Sequence, residues 1–264
     1  SEMHTADVAE IIKNLGYKKR EKILVLLKDD FDLEILTHLD ENLKEEIIEF
    51  LGIEVLAPNV TDLDVDDALD VVEDLEKSDQ ETVLKSIPDV ERKLIQQGLN
   101  YPEDSAGRLM QRNYVSMKED WTVGQAIDAL RSSLALPGDF YDIYLVNNND
   151  NVQGVVPLGR LMSSKREVYL NDIKTKNTRT VSVNTDQEEV AYMFNKYGLV
   201  SAPVTDINNQ LIGSITVDDV VDVIEEEREE DILKLGGVGQ TDLYSAVAST
   251  TRLRFSWLFV NLLT

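Results

Sequence analysis

Residues 211–220 read Leu211-Ile212-Gly213-Ser214-Ile215-Thr216-Val217-Asp218-Asp219-Val220. Five apolar or small residues form a strand pattern, and a hydroxyl followed by two carboxylates then opens a helical pattern. A polar turn precedes this strand at Asp206-Ile207-Asn208-Asn209, and another strand precedes the turn at Ala202-Pro203-Val204-Thr205. With a helix from Thr185 to Tyr197 and a strand at Thr180-Val181-Ser182-Val183, the segment predicts a β-α-β-β-α unit.

The same order of elements occurs earlier in the chain. Tyr114-Val115-Ser116-Met117 has a strand pattern, and Thr122 to Leu134 has a helical one. Ile143-Tyr144-Leu145-Val146 and Val152-Gln153-Gly154-Val155-Val156 are strands on either side of a turn rich in asparagine. The sequence therefore predicts two copies of one unit, each roughly 60 residues long.

Residues 1–100 have helical periodicity and almost no strand pattern. Glu10–Gly16 resembles Glu46–Gly52 at an offset of 36 residues, and this period is typical of helix hairpins stacked into an α-solenoid. The same offset relates Leu33, Ile35, Leu36, Leu39, Ile47, Ile48 and Leu51 to Leu69, Val71, Val72, Leu75, Val83, Leu84 and Ile87. Helix ends are predicted at Gly16, Gly52, Pro58 and Pro88.

The composition of the 264 residues limits the function classes. Asp and Glu number 50 against 26 Lys and Arg, a net charge of -24 that repels nucleic acids and anionic lipids and attracts cations. There is no cysteine, and His4 and His38 are too few for a histidine-based metal site, so a bound metal must use oxygen ligands, as Mg²⁺, Ca²⁺ or Mn²⁺ do. Because we find no nucleophile elbow, Walker loop or zinc-protease motif, we expect no enzymatic activity.

The C-terminal residues combine a basic flank, Arg252-Leu253-Arg254, with the apolar run Phe255–Leu263, which contains an interfacial Trp257. This run is shorter than the roughly 20 residues that span a bilayer. It predicts the start of a truncated membrane helix, and the alternative is a small amphipathic helix that docks on the body of the protein.

The two β-α-β-β-α units resemble a tandem of CBS domains. Gly213–Val220 matches the glycine, hydroxyl and aspartate pattern of that family, whereas Gly154–Leu161 has Pro157 and Arg160 at the two polar positions. The resemblance implies that Thr216 and Asp219 hold the phosphate and ribose of ATP or AMP. The alternative is a structural role at the start of a helix.

The order of parts over essentially the whole chain resembles the cytosolic region of the MgtE family of magnesium transporters. Local similarity lies in Tyr101–Met110, Thr185–Ala191 and Asp231–Gly236. The resemblance implies an α+β multidomain fold, an α-solenoid-like helical domain followed by a CBS pair and a connecting helix. The implied boundaries are 1–100 for the helical domain, 101–170 and 171–235 for the CBS domains, and 242–264 for a connecting "plug" helix that leads into the truncated membrane helix.

In that family Mg²⁺ ions bind between the helical domain, the CBS domains and the connecting helix of a homodimer. Two positions depart from the family pattern, because Asn208 and Gly239 stand where acidic ligands can occur. Asp66 and Asp70 are four residues apart and share a helix face, where like charges destabilise unless a cation lies between them. The carboxylates that correspond to family ligands are Glu34, Asp66, Asp70, Asp206, Asp218, Asp219 and Asp242.

These features predict a Mg²⁺-sensing gate that is closed when ions bridge facing acidic surfaces. The implied partners are a second copy, through the CBS domains, and the protein's own membrane domain, with this region on the cytoplasmic side of the cell membrane. The acidic run Glu225–Asp231 could take part, although a solvated helix face explains it as well. The alternatives are a nucleotide-sensing CBS module of another membrane protein and an interaction scaffold built on the helical repeat.

Overall fold

A computed structural model describes residues 3–133, 136–138 and 140–236. The predicted helix at 242–264, with Asp242 and Gly239, lies outside the described residues. The chain divides into two compact units, Ser1–Ile95 with Ile224–Thr264, and Gln96–Val223. Each unit is described separately below.

The first unit is helical, as its periodicity predicts. Asp40 begins α4 by accepting a hydrogen bond from the amide of Leu43, and Gly52, at a φ of 75°, ends it. Pro58 lies in the last turn of α5, one residue before the helix ends at Asn59, so the predicted helix end is confirmed to within one residue. The helices of this part are α1 (Thr5–Lys13), α2 (Tyr17–Leu27), α3 (Glu34–Thr37), α4 (Glu41–Leu51), α5 (Ile53–Asn59), α6 (Val65–Glu73), α7 (Lys77–Ser86) and α8 (Asp89–Gly98), with short 3-10 turns at Lys28–Asp30 and Val60–Asp62.

The 36-residue repeat maps buried residues of this unit onto buried residues. Leu36 and Val72 are both fully buried, as are Ile47 and Val83. The first copy departs from this pattern at Ile11, which is 43% exposed whereas its counterpart Ile47 is covered. A terminal repeat lacks a neighbour on one side, which accounts for the difference.

The second unit contains two three-stranded sheets of identical topology. In each, the first strand runs parallel to the second across a helix, and the second pairs antiparallel with the third. The strands are β1 (Ser116–Lys118), β2 (Asp142–Val146), β3 (Val152–Pro157), β4 (Val181–Ser182), β5 (Ser201–Thr205) and β6 (Leu211–Thr216). The helices are α9 (Ala106–Leu109), α10 (Val123–Ser132), α11 (Leu158–Ser163), α12 (Leu170–Ile173), α13 (Gln187–Tyr197) and the first residues of α14 (Val217–Gly236), which from Ile224 onward belongs to the first unit. The predicted strands and long helices are confirmed, and α11 is the closing helix of the first predicted unit. The short α9 and α12 were not predicted.

Local signals fix where these elements begin and end. Thr122 and Gln125 form a reciprocal capping box at the start of α10, and Asp186 caps α13. Gly198, at a φ of 61°, ends α13 in the left-handed conformation that glycine adopts without strain. β2 is buried on both faces, because Ile143 packs in the helix-covered core and Tyr144 in a second cluster that includes Leu211 of β6.

The tips of the two hairpins are hydrogen-bonded to each other. The Asn151 amide donates to the carbonyl of Asn208 at 2.6 Å, and the Gln210 amide donates to the carbonyl of Asn149 at 2.9 Å. Backbone pairing between Asn151 and Gln210 continues the contact. The two sheets are therefore joined at the turn end of their strands.

Candidate functional site

A polar cluster surrounds the start of α14, where the sequence places the candidate nucleotide residues. The backbone amide and the hydroxyl of Thr216 both donate to Asp219 Oδ2, at 3.0 and 2.8 Å. Asp219 thus satisfies an amide at the helix start, which is the structural role weighed above. A ligand that took the Thr216 hydroxyl proton or Asp219 Oδ2 as a partner would compete with this pair of hydrogen bonds.

Gln111 connects this cluster to the segment that precedes β1. Its amide nitrogen lies 3.2 Å from Asp219 Oδ1, and its backbone exchanges two hydrogen bonds with Ser214 of β6, at 2.8 and 3.0 Å. Burial raises the pKa of Asp219 to about 6, although the hydrogen bonds from Thr216 oppose the shift. A carboxyl group that titrates near neutrality therefore lies at the start of α14.

A second polar chain lies in the same cleft between the two sheets. The Tyr144 hydroxyl donates to Ser201 Oγ at 2.8 Å, and Ser201 donates to Asp142 Oδ2 at 2.7 Å. Burial raises the pKa of Asp142, and the hydrogen bond from Ser201 opposes that effect. The centre of a water molecule can reach only about 20 Å³ of this cleft, which suffices for a water or two but not for a nucleotide.

The equivalent corner of the first sheet differs in chemistry, as the sequence predicts. Pro157 ends β3 and has no hydroxyl, and the exposed Arg160 donates to the carbonyl of Ile173 at 3.1 Å. A hydroxyl–carboxylate pair like that of Thr216 and Asp219 therefore occurs at the second corner and not at the first.

The candidate ligands of the second unit lie on a turn and on a helix end. Asp206 Oδ1 accepts the amides of Asn208 and Gln210, each at 2.8 Å, and Oδ2 accepts the side-chain amide of Asn208 at 3.1 Å. Desolvation is the largest single influence on the pKa of Asp206 and raises it, but the three hydrogen bonds together outweigh desolvation and lower that pKa. Asp218 is exposed in the first turn of α14, beside Asp219.

The candidate ligands of the helical unit lie on two helices that contact each other, α3 and α6. Glu34 is exposed in the first turn of α3, and Asp66 is partly buried in the first turn of α6. Asp70, one turn further along α6, accepts hydrogen bonds from Lys44 Nζ at 2.8 Å through both carboxylate oxygens. The ammonium group of Lys44 thus already pairs with Asp70, one of the predicted metal ligands.

In the described part of the chain, no three or more acidic or histidine side chains are grouped closely enough to hold a metal ion. The predicted residues are brought together only in pairs, such as Asp218 with Asp219. The acidic run at Glu225–Asp231 lies on α14, where the Glu225 side chain is exposed.

Sequence reasoning missed four polar residues that the fold brings to these places, namely Lys44, Gln111, Asp142 and Ser201. Gln111 and Asp219 are 108 residues apart, and Lys44 and Asp70 are 26 apart, so neither pair has a local pattern. Asp142 offered a signal, because it is an acidic residue at the start of a strand that is otherwise buried.

Comparison with known proteins agrees with this architecture. Residues 3–104 match the family model of the MgtE intracellular N domain, and residues 170–226 match that of the CBS domain. The magnesium transporter MgtE of Thermus thermophilus is 32% identical over 100% of this chain and 60% of its own length. The chain belongs to the MgtE family. The MgtE of Bacillus subtilis is 29% identical over 99% of this chain and 58% of its own length, so the chain spans about 60% of these relatives.

Two solved structures have the same fold. The cytosolic domain of the Mg²⁺ channel MgtE in complex with ATP is 29% identical, with a TM-score of 0.73, and the match covers 84% of this chain and 91% of that one. The soluble part of a magnesium transporter is 26% identical, with a TM-score of 0.71, over 85% and 89% of the two chains. The arrangement of a helical N domain followed by a CBS pair is thus shared with MgtE cytosolic regions. No described helix combines the length and the apolar character that crossing a membrane requires.

Proposed function

We propose that this chain is the cytosolic Mg²⁺-sensing region of a magnesium transporter, in which bound ions stabilise a closed state. The observation that carries the proposal is the placement of carboxylates on the surface of both units of an MgtE-family chain. Glu34 and Asp66 lie on neighbouring helices of the helical unit, and Asp206 and Asp218 lie at a turn and a helix start of the CBS pair. Asp70, Asp219 and Asp242 complete the proposed set.

The chemistry of these groups suits Mg²⁺. Mg²⁺ is a hard ion that keeps most of its water and binds through one or two carboxylates at a time. With a net charge of -24, acidic surfaces repel one another until cations bind between them. Sites that exist only in the closed state supply the difference in affinity that a ligand needs to shift the equilibrium. We propose a homodimer through the CBS domains, next to the protein's own membrane domain, on the cytoplasmic side of the cell membrane.

Limited proteolysis and small-angle scattering of the 264-residue chain across a Mg²⁺ titration test this proposal. We expect slower cleavage and a smaller radius of gyration as Mg²⁺ rises, with little effect of Na⁺ at equal ionic strength. Unchanged shape and cleavage up to tens of millimolar Mg²⁺ would refute it. The variants Asp66→Ala and Asp218→Ala, compared with Asp7→Ala on an exposed part of α1, locate the effect.

We also propose ATP or AMP as a second ligand, at the cleft that Thr216 lines, next to the hydrogen-bonded Asp219. Its support is the polar lining of this cleft, together with a structural relative that was solved in complex with ATP. Hydroxyl and carboxylate groups of this kind suit a ribose, but the cleft must widen before a nucleotide enters. Calorimetric titration with ATP and AMP tests this, and binding that is equal in the parent and in Asp219→Ala would contradict it.

A further inference from the structure

Lys44 is a charged residue in the interior of the helical unit. Its side chain is 9% exposed, and its Nζ lies 2.8 Å from each carboxylate oxygen of Asp70 and 2.7 Å from Asp74 Oδ2. The contacts with Asp70 are hydrogen bonds, and the buried Asp74 Oδ2 makes a close ion pair with the same ammonium group. Three carboxylate oxygens from α6 thus surround one ammonium group from α4.

The two carboxylates would repel each other without this ammonium group. Asp70 and Asp74 are four residues apart, so they lie on one face at the end of α6, and Asp74 is only 16% exposed. Burial opposes the charge of Lys44, but Asp70 and Asp74 outweigh it and raise the pKa of Lys44. Burial also raises the pKa of Asp74, which Lys44 counteracts.

We infer that Lys44 is the resident counter-ion of the contact between α4 and α6, so that this contact forms without a divalent ion. An ammonium group supplies one positive charge and up to three donors, and it cannot dissociate as Mg²⁺ does. The Lys44 ammonium group also competes with divalent ions for Asp70, whose side chain is 49% exposed. Lys44 therefore sets how strongly this part of the helical unit responds to Mg²⁺.

The role of Lys44 as a counter-ion does not depend on the Mg²⁺ response proposed above. Only the competition between Lys44 and Mg²⁺ for Asp70 rests on that proposal. Removal of the ammonium group should leave a carboxylate pair that needs a divalent ion in its place. Lys44→Met keeps the length and apolar stem of the side chain and removes the charge. Lys44→Arg keeps the charge and is the matched control.

The experiment measures thermal unfolding against Mg²⁺ concentration, and Mn²⁺ binding by electron paramagnetic resonance, for the parent, Lys44→Met and Lys44→Arg. We expect Lys44→Met to unfold at a lower temperature than the parent without divalent ions, to recover in Mg²⁺, and to bind one additional Mn²⁺ per chain. The triple variant Lys44→Met/Asp70→Asn/Asp74→Asn should lose both the added Mn²⁺ and the added Mg²⁺ dependence. Lys44→Arg should behave as the parent does.

Equal Mg²⁺ dependence and equal Mn²⁺ binding in Lys44→Met and Lys44→Arg would overturn the inference. So would a Lys44→Met protein that stays unfolded at every Mg²⁺ concentration, because the ion would then not replace the ammonium group. Lys44→Gln is measured in parallel, since its polar side chain guards against aggregation of the methionine variant. If Mg²⁺ stabilises Lys44→Met against thermal unfolding but does not change the shape of the parent protein, this inference stands and the proposed sensing function is rejected.

Discussion

Asn147 and Asp206 make the same two hydrogen bonds at equivalent positions of the two hairpin turns. Asn147 Oδ1 accepts the amides of Asn149 and Asn151 at 2.8 and 3.1 Å, and Asp206 Oδ1 accepts those of Asn208 and Gln210. The turn therefore forms around a neutral amide as well as around a carboxylate. The negative charge of Asp206 is not needed for the shape of its turn.

Asp206→Asn should accordingly separate the ion-binding role from the structural one. We expect the unfolding temperature in the absence of divalent ions to fall by only a few degrees, because the two amide hydrogen bonds remain. The compaction that Mg²⁺ induces should require a higher Mg²⁺ concentration. Asn147→Asp, which adds a charge at the equivalent turn, is the control. If Asp206→Asn compacts at the same Mg²⁺ concentration as the parent, Asp206 is not a ligand.

Asn208→Asp tests the amide that faces Asp206. The Asn208 side chain donates to Asp206 Oδ2, so an aspartate would replace an attraction by a repulsion between two carboxylates. We expect a lower unfolding temperature without Mg²⁺ and a steeper rise with Mg²⁺ than in the parent. Differential scanning fluorimetry across a Mg²⁺ series measures both. Asn177→Asp adds the same charge on an exposed loop, and an equal response in the two variants would show that general charge screening is the cause.

Asp219 should produce a pH dependence of stability between about pH 4 and pH 6. Its pKa is raised to about 6 in the folded protein from 3.8, so the folded state binds the proton more tightly than the unfolded chain does. Its ionisation therefore destabilises the fold as pH rises through 6, and protonation stabilises it as pH falls toward 4. We expect Asp219→Asn to flatten this part of the profile relative to the parent.

Urea unfolding of the parent and Asp219→Asn at a series of pH values measures that difference. Other carboxylates also titrate in this range, so the quantity of interest is the difference between the two proteins. Asp7→Asn on α1 is the control for a surface carboxylate. Profiles of the parent and Asp219→Asn that stay parallel from pH 4 to pH 7 would rule out an elevated pKa.

Gly213 and Gly154 occupy equivalent positions in β6 and β3 and should respond differently to alanine. A Cβ at Gly213 would lie 2.7 Å from Met110 Sδ and 3.0 Å from the carbonyl oxygen of Gln111, whose backbone pairs with Ser214. At Gly154 the nearest atoms belong to the flexible Lys174 side chain, at 2.6 Å. We expect Gly213→Ala to destabilise by about 1–3 kcal/mol, as overpacking does, and Gly154→Ala by less. Urea unfolding measures both, and equal losses would contradict the backbone explanation.

Much of the fold could be predicted because its signals are local. The alternation in Leu211–Thr216, the turn residues that precede it and the capping residue of α13 each act within a few positions. The 36-residue repeat predicted the buried residues of the helical unit because each repeat presents the same face to its neighbours. Ile11 departed from that pattern because it lies at the open end of the repeat.

The candidate site could be predicted only in part, because its polar contacts are non-local. The spacing of Asp66 and Asp70 placed two carboxylates on one face, but nothing near them in sequence indicated that Lys44 of another helix neutralises Asp70. Similarly, Thr216 and Asp219 were found from their motif, whereas Gln111 reaches Asp219 from the segment that precedes β1, 108 residues earlier in the chain.

The hydrogen-bonded hairpin tips would act as a pivot if the two sheets rotated against each other, a motion that must break the hydrogen bonds from Tyr144 to Ser201 and from Ser201 to Asp142 at the cleft end. Asn151 and Gln210 lie at one end of the strands, and the cleft residues Asp142 and Ser201 lie at the other, five residues away along β2 and β5. A rotation of one sheet against the other would move the tips least and the cleft end most. At about 3.3 Å per residue the lever arm is roughly 16 Å, so a tilt of a few degrees would displace the cleft wall by about 1 Å. Because Thr216 lies at the cleft end of β6, the rotation that widens the cleft would also move the start of α14.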